Sequence, residues 1–316
     1  MWMIRILATF SNLLFLLGVL AGLYLPQAAP VAYALLLPAL ALFLTMTLLR
    51  FPGGFFKKPR ERLSGFMLGN CMNYLVLGNL VLLPGLFLIR AEPFWIGLVL
   101  IAAVPAAAVV LPLGDQMGGD KTLTLAGLAG TYLGALILTP LIGAAFLKFL
   151  PIAWDKLVIV VILLIALPLI LSRIAVDRNW EARIERWEPG IYGGCIFVIF
   201  YALAANSAHY VRQGNREIFI MAVMALAAAC IISVALLLFG RLYKVSRAKI
   251  MSLLLLGTMK NYGLAGGLAL YLFGSEAAVP ALLFSIVMFL NTIWLKFLAG
   301  GRSSSPGAEK GPENSV

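Results

Sequence analysis

Long apolar runs separated by short polar loops dominate the chain, and a bilayer-spanning helix needs about 20 mainly apolar residues. Ten such runs are legible, at roughly 4–24, 31–49, 64–89, 94–113, 122–147, 157–172, 190–209, 218–239, 250–273 and 277–299. The pattern predicts an all-α polytopic membrane protein with ten transmembrane helices. The first run is too long for a secretory signal and leads into a second span, so it reads as a retained helix. Residues 300–316 are rich in Ser, Gly, Pro and Glu and are expected to be disordered.

Composition agrees with the pattern. Hydrophobic residues make up 62% of 316 and charged residues 12%, against about 25% charged in soluble domains. The net charge of +11 does not point to nucleic acid, because the basic residues sit in short loops rather than in tracts interleaved with aromatics. They report topology instead. With the N-terminus in the cytoplasm, seventeen Lys and Arg fall in inside segments and five outside, leaving Lys260 and Lys296 within spans. This positive-inside bias predicts that both termini are cytoplasmic, in a plasma membrane or, for a prokaryote, the inner membrane. Lys296 lies near a helix end and can snorkel. Cys71, Cys195 and Cys230 show no metal-ligand spacing. The lone histidine, His209, reads as interfacial, and no metal or cofactor is expected.

Ten spans divide into five plus five, and an odd number per half inverts the second half relative to the first. Inverted repeats place irregular helices at matching positions near mid-membrane. The fourth span carries Pro105 and Pro112, which each remove a backbone donor. The ninth, fourth of its own half, carries Gly257, Gly263, Gly266 and Gly267. Close packing of the small-xxx-small type is the other reading of these glycines. Lys260 lies in this segment with no acidic residue within fifteen positions on either side. A charge at the bilayer centre costs roughly 2.5–3.5 kcal/mol even on lenient scales, so it must face protein, water or a partner.

In order and spacing, several stretches resemble the bile acid:sodium symporter superfamily, whose relatives include arsenite efflux pumps. The first runs from Gly97-Leu98-Val99 through Pro105 and Gly119-Asp120 to Leu138-Thr139-Pro140. The second is Asn261-Tyr262-Gly263-Leu264-Ala265, followed by Val279-Pro280-Ala281 and Phe284-Ser285. In the third span, Asn79 precedes Pro84 by five residues, where the family has an amide before a proline. The resemblance implies two inverted five-helix repeats with broken, crossing helices 4 and 9. Panel helices 1–2 (residues 1–63) and 6–7 (150–217) would pack against core helices 3–5 (64–149) and 8–10 (218–299), with substrate in the cleft between them and relative domain movement giving alternating access.

Departures from the family bear on coupling. Its sodium-coupled members use a glycine pair, hydroxyl and amide groups, a Glu and a Gln. Here those positions hold Ala106 and Ala107, then Val109, Val110 and Leu111, then Leu256 and Lys260. The expected function is therefore secondary transport of a small organic anion without sodium coupling. Lys260 would act as a fixed cation or as a proton carrier, since an amine withdrawn from water releases its proton more readily. A structural role, donating to carbonyls freed by a broken helix, is the third reading. Sodium-coupled anion symport through a different ion site is the alternative within the class. Candidate substrate-binding or coupling residues are Lys260, Asn261, Thr258, Asn79, Thr131, Pro105, Ala106, Gly257 and Gly263. Expected partners are the organic anion, the lipid bilayer and, under the carrier reading, protons. An intramembrane enzyme is disfavoured: the spans hold no Asp or Glu, and no spacing singles out Ser252 or Ser285 as a nucleophile for Lys260. A membrane sensor or scaffold is the remaining class.

Overall fold

The computed structural model describes residues 2–55, 59–148, 154–180, 184 and 187–300. Residues 301–316 of the tail expected to be disordered, and the loop cations Lys57, Lys58, Arg183 and Arg186, lie outside the described residues. Within them the chain is helical and has no strand. Seven helical stretches are long and apolar enough to cross a membrane: Pro26–Leu49, Arg60–Leu88, Lys121–Leu147, Val158–Asp177, Glu188–Gln213, Arg216–Leu242 and Ser275–Phe297. Asn12–Tyr24, Glu92–Ala103 and Tyr262–Phe273 are shorter apolar helices. The chain is a multi-pass membrane protein.

Four helices pack chiefly on one another: α1 (Trp2–Tyr24), α2 (Ala29–Leu49), α8 (Trp154–Asp177) and α9 (Glu188–Gln213). Small residues allow the closest of these approaches. A Cβ added at Gly22 would stand 2.7 Å from both the Tyr201 carbonyl oxygen and the Ala204 Cβ. The second set begins with α3 (Pro59–Asn70), a π-helical turn (Cys71–Leu77) and α4 (Gly78–Leu88), which together form one rod. It continues with α5 (Glu92–Ala103), α6 (Val110–Gln116) and α7 (Lys121–Leu147), and ends with α10 (Arg216–Leu242), α11 (Arg247–Thr258), α12 (Tyr262–Phe273) and α13 (Ser275–Gly300).

Two apolar runs are split. α5 stops because Pro105 offers no backbone donor, and Val104 before it is extended at φ −83°, ψ 156°. Pro112 falls in the first turn of α6, where a missing N–H costs nothing. The second break, between α11 and α12, has a different cause from the one expected. Gly257 lies inside α11, and Gly263, Gly266 and Gly267 lie inside α12, all at ordinary helical φ. These glycines serve packing: a Cβ at Gly266 would stand 2.7 Å from Leu203 Cδ1, and one at Gly257 2.6 Å from Met72 Cε. The chain turns instead at Met259–Asn261. Met259 is extended, and the Asn261 side chain accepts from Leu264 N at 3.0 Å to cap α12.

Candidate functional site: a lysine at two crossing helix breaks

The two breaks meet. Ala106 and Lys260 form an isolated antiparallel bridge, in which Ala107 N donates to Met259 O and Asn261 N donates to Pro105 O, each at 2.9 Å. Backbone released from both helices thus satisfies itself across the crossing, away from lipid.

The end of α5 leaves carbonyls that need donors, and side chains from three other elements supply them. Lys260 Nζ donates to Ala102 O at 2.8 Å and to Val104 O at 2.9 Å. Asn73 Nδ2 also donates to Val104 O, at 3.0 Å. Thr139 Oγ1 donates to Ala103 O at 2.6 Å. Lys260 is 0% exposed, and its amine stands 4.8 Å from the centroid of the Tyr74 ring, whose face attracts cations. None of these contacts is acidic. The amine is held by carbonyl dipoles at the negative end of a helix and by a π face, surroundings that suit a positive charge.

Other predicted residues fall around this cluster in different roles. Pro105 and Ala106 are buried in the crossing itself, and Thr131 Oγ1 accepts from Ala106 N at 3.3 Å. Thr131 is therefore a clamp on the break. Asn261 caps α12 and reaches the Tyr132 hydroxyl at 3.4 Å. Thr258 bonds back to Leu254 O at 2.7 Å. Gly257 is packed between Met72 and Ile232. Asn79 is placed differently from the expectation: it is exposed on the outer surface, and its amide bonds to Leu75 O. The amide turned inward from that rod is Asn73, joined by Tyr74, whose hydroxyl donates to Thr131 O at 2.9 Å. Asn73 was visible in the sequence as a polar residue within a span, with nothing to choose it over Asn79. Asn79→Ala is accordingly expected to change stability by less than about 0.5 kcal/mol. Asn73→Ala is expected to cost about 1–3 kcal/mol, read as thermal unfolding of purified protein.

A cavity of about 390 Å³ opens beside the crossing. Lys260, Asn261 and Gly263 line its deep end, with Ala107 and Ala108. Its walls are aromatic, with Phe15, Phe43, Tyr192 and Phe200 from the first helix set and Phe289 from α13. Asn12 and Thr292 add polar atoms. At the other end it reaches exposed Asp115 and Lys121 and the Arg50–Glu188 ion pair, 2.7 Å long. The cavity thus lies between the two helix sets, apolar in its walls and polar where the breaks cross.

No model of a known protein family matches this chain, and no curated protein matches it.

Proposed function

We propose that the protein is a secondary transporter that moves a small organic anion by alternating access, as a divergent relative of the bile acid:sodium symporters. In this reading the ten apolar runs are ten spans in two inverted five-helix repeats. The α5–α6 and α11–α12 pairs are the broken fourth helices of each half, and both termini are cytoplasmic. The single observation that supports it is the buried Lys260 amine on the carbonyls of a broken helix, beside a cavity between two helix sets. An ammonium bound by carbonyl oxygens does the electrostatic work of a captured alkali cation. Being tethered, it needs no ion gradient to stay in place. The positions whose hydroxyl, amide and carboxylate groups would hold sodium are Val109, Val110, Leu111, Leu256 and Lys260 here, and the chain's own cation occupies the carbonyls.

A thermal-shift screen of the purified protein tests this. Carboxylates, sulfonates and inorganic oxyanions are added with sodium present or replaced by choline. At least one organic anion is expected to raise the unfolding temperature equally in both salts. Stabilisation that appears only with sodium contradicts the fixed-cation role.

A further inference from the structure

The cavity's exposed end and a tight contact between the two helix sets lie on opposite sides of the crossing. The exposed end is at Asp115 of α6, and α6 packs on α11. α12 leaves the crossing in the other direction, along α5. Its first two residues, Tyr262 and Gly263, line the cavity. Past them, α12 lies directly on α2 and α9 of the first set.

That contact has three parts. Leu36 and Leu40 of α2 and Leu203 of α9 are fully buried. A Cβ added at Gly267 would land on Leu40 Cδ1, and one at Gly266 would stand 2.7 Å from Leu203 Cδ1. The backbone of α12 therefore meets these leucines with no room for a side chain between them. Farther along, exposed Tyr271 of α12 stacks on exposed Tyr33 of α2, with ring centroids 6.4 Å apart. At the start of α13, Ser275 O accepts from Ser207 Oγ of α9 at 3.3 Å. Each of these contacts joins a residue of the first set to one of the second. Moving one set as a body breaks them together and leaves the packing inside each set intact.

We propose that this contact is the gate that closes one end of the pathway in this structure. The inference rests on the alternating-access reading and names the surfaces that part. When the sets separate here, Leu36, Leu40 and Leu203 lift off α12, the two tyrosines unstack, and the cavity opens past Gly263 toward Tyr33 and Tyr271. A side chain at position 267 is crowded only while the gate is shut. It therefore favours the open arrangement by its differential cost in the two states.

The test measures the gate directly. Spin labels are placed at Tyr33→Cys and Tyr271→Cys in the full-length protein, with Cys71, Cys195 and Cys230 replaced by alanine, and the distance between them is read by double electron–electron resonance. A short distance is expected to dominate. Gly267→Leu should raise a longer-distance population about tenfold, the scale of an ordinary overpacking cost. Leu40→Ala in that background should restore the short distance by making room for the new side chain. Should Gly267→Leu fail to fold, Leu40→Ala alone reads the same gate: it thins the seal and should also raise the longer-distance population. An unchanged short distance in these variants, with only a lowered unfolding temperature, would mean static packing and overturn the proposal. Anion uptake by the parent protein separates the two failures. Uptake with a fixed distance removes the gate from this contact alone, whereas a fixed distance without uptake of any anion removes the transport reading with it.

Discussion

Lys260→Met is expected to leave the protein folded and to weaken binding of an anionic substrate by about a hundredfold. An anion held about 6 Å from the amine, at an effective dielectric near 20, interacts with it by roughly 3 kcal/mol, which is about two powers of ten in affinity. The effect on stability is smaller because opposing terms compete. Methionine removes a buried charge whose desolvation is costly. It also orphans Ala102 O, while Val104 O keeps its bond from Asn73. One unpaired carbonyl costs about 1–3 kcal/mol. Affinity is measured by calorimetry with the tightest anion of the screen, and folding by gel filtration and thermal unfolding. Unchanged affinity in a folded Lys260→Met protein would reduce the lysine to a helix cap.

A large loss of stability is expected from Gly97→Ala. Its Cβ would land on the Ala277 carbonyl oxygen and stand 2.7 Å and 3.0 Å from the Pro280 ring. Neither backbone nor a proline ring can turn aside, so α5 and α13 must separate. Overpacking typically costs 1–3 kcal/mol, and a backbone obstruction lies at or above the upper end. Because α5 carries the carbonyls that hold Lys260, the displacement reaches the crossing. Gly194→Ala is the matched control. Nothing lies within 4 Å of the added Cβ, and replacing a mid-helix glycine by alanine stabilises by roughly 0.5–1 kcal/mol. Folded yield and thermal unfolding of the two variants should move in opposite directions.

Much of this arrangement was legible in the residues. Seven of the ten apolar runs coincide with helices long and apolar enough to cross a membrane, and Pro105 marked the first break, because proline acts on its own backbone neighbours. The second break was placed in the right segment for the wrong reason. Glycines drew attention to residues 257–267, yet the turn is made by the Asn261 cap and by a bridge to Ala106, a partner far away in sequence. Asn79 was named because an amide precedes Pro84, and it lies on the outer face of the rod. Six residues apart on a helix, Asn73 and Asn79 cannot share a face, and the one turned toward the break is Asn73. The partners of Lys260 could not be read, since Ala102 and Val104 lie more than 150 positions away and nothing in their side chains advertises a free carbonyl. The sequence did require that such partners exist, because a charge in that run could not face lipid.

The fixed-cation account is tested most directly by anion uptake into liposomes containing the purified protein, with external sodium varied against choline at constant ionic strength. The initial rate for the best-binding anion is predicted to be the same across the whole sodium range. A rate that climbs with sodium and vanishes in choline would contradict it.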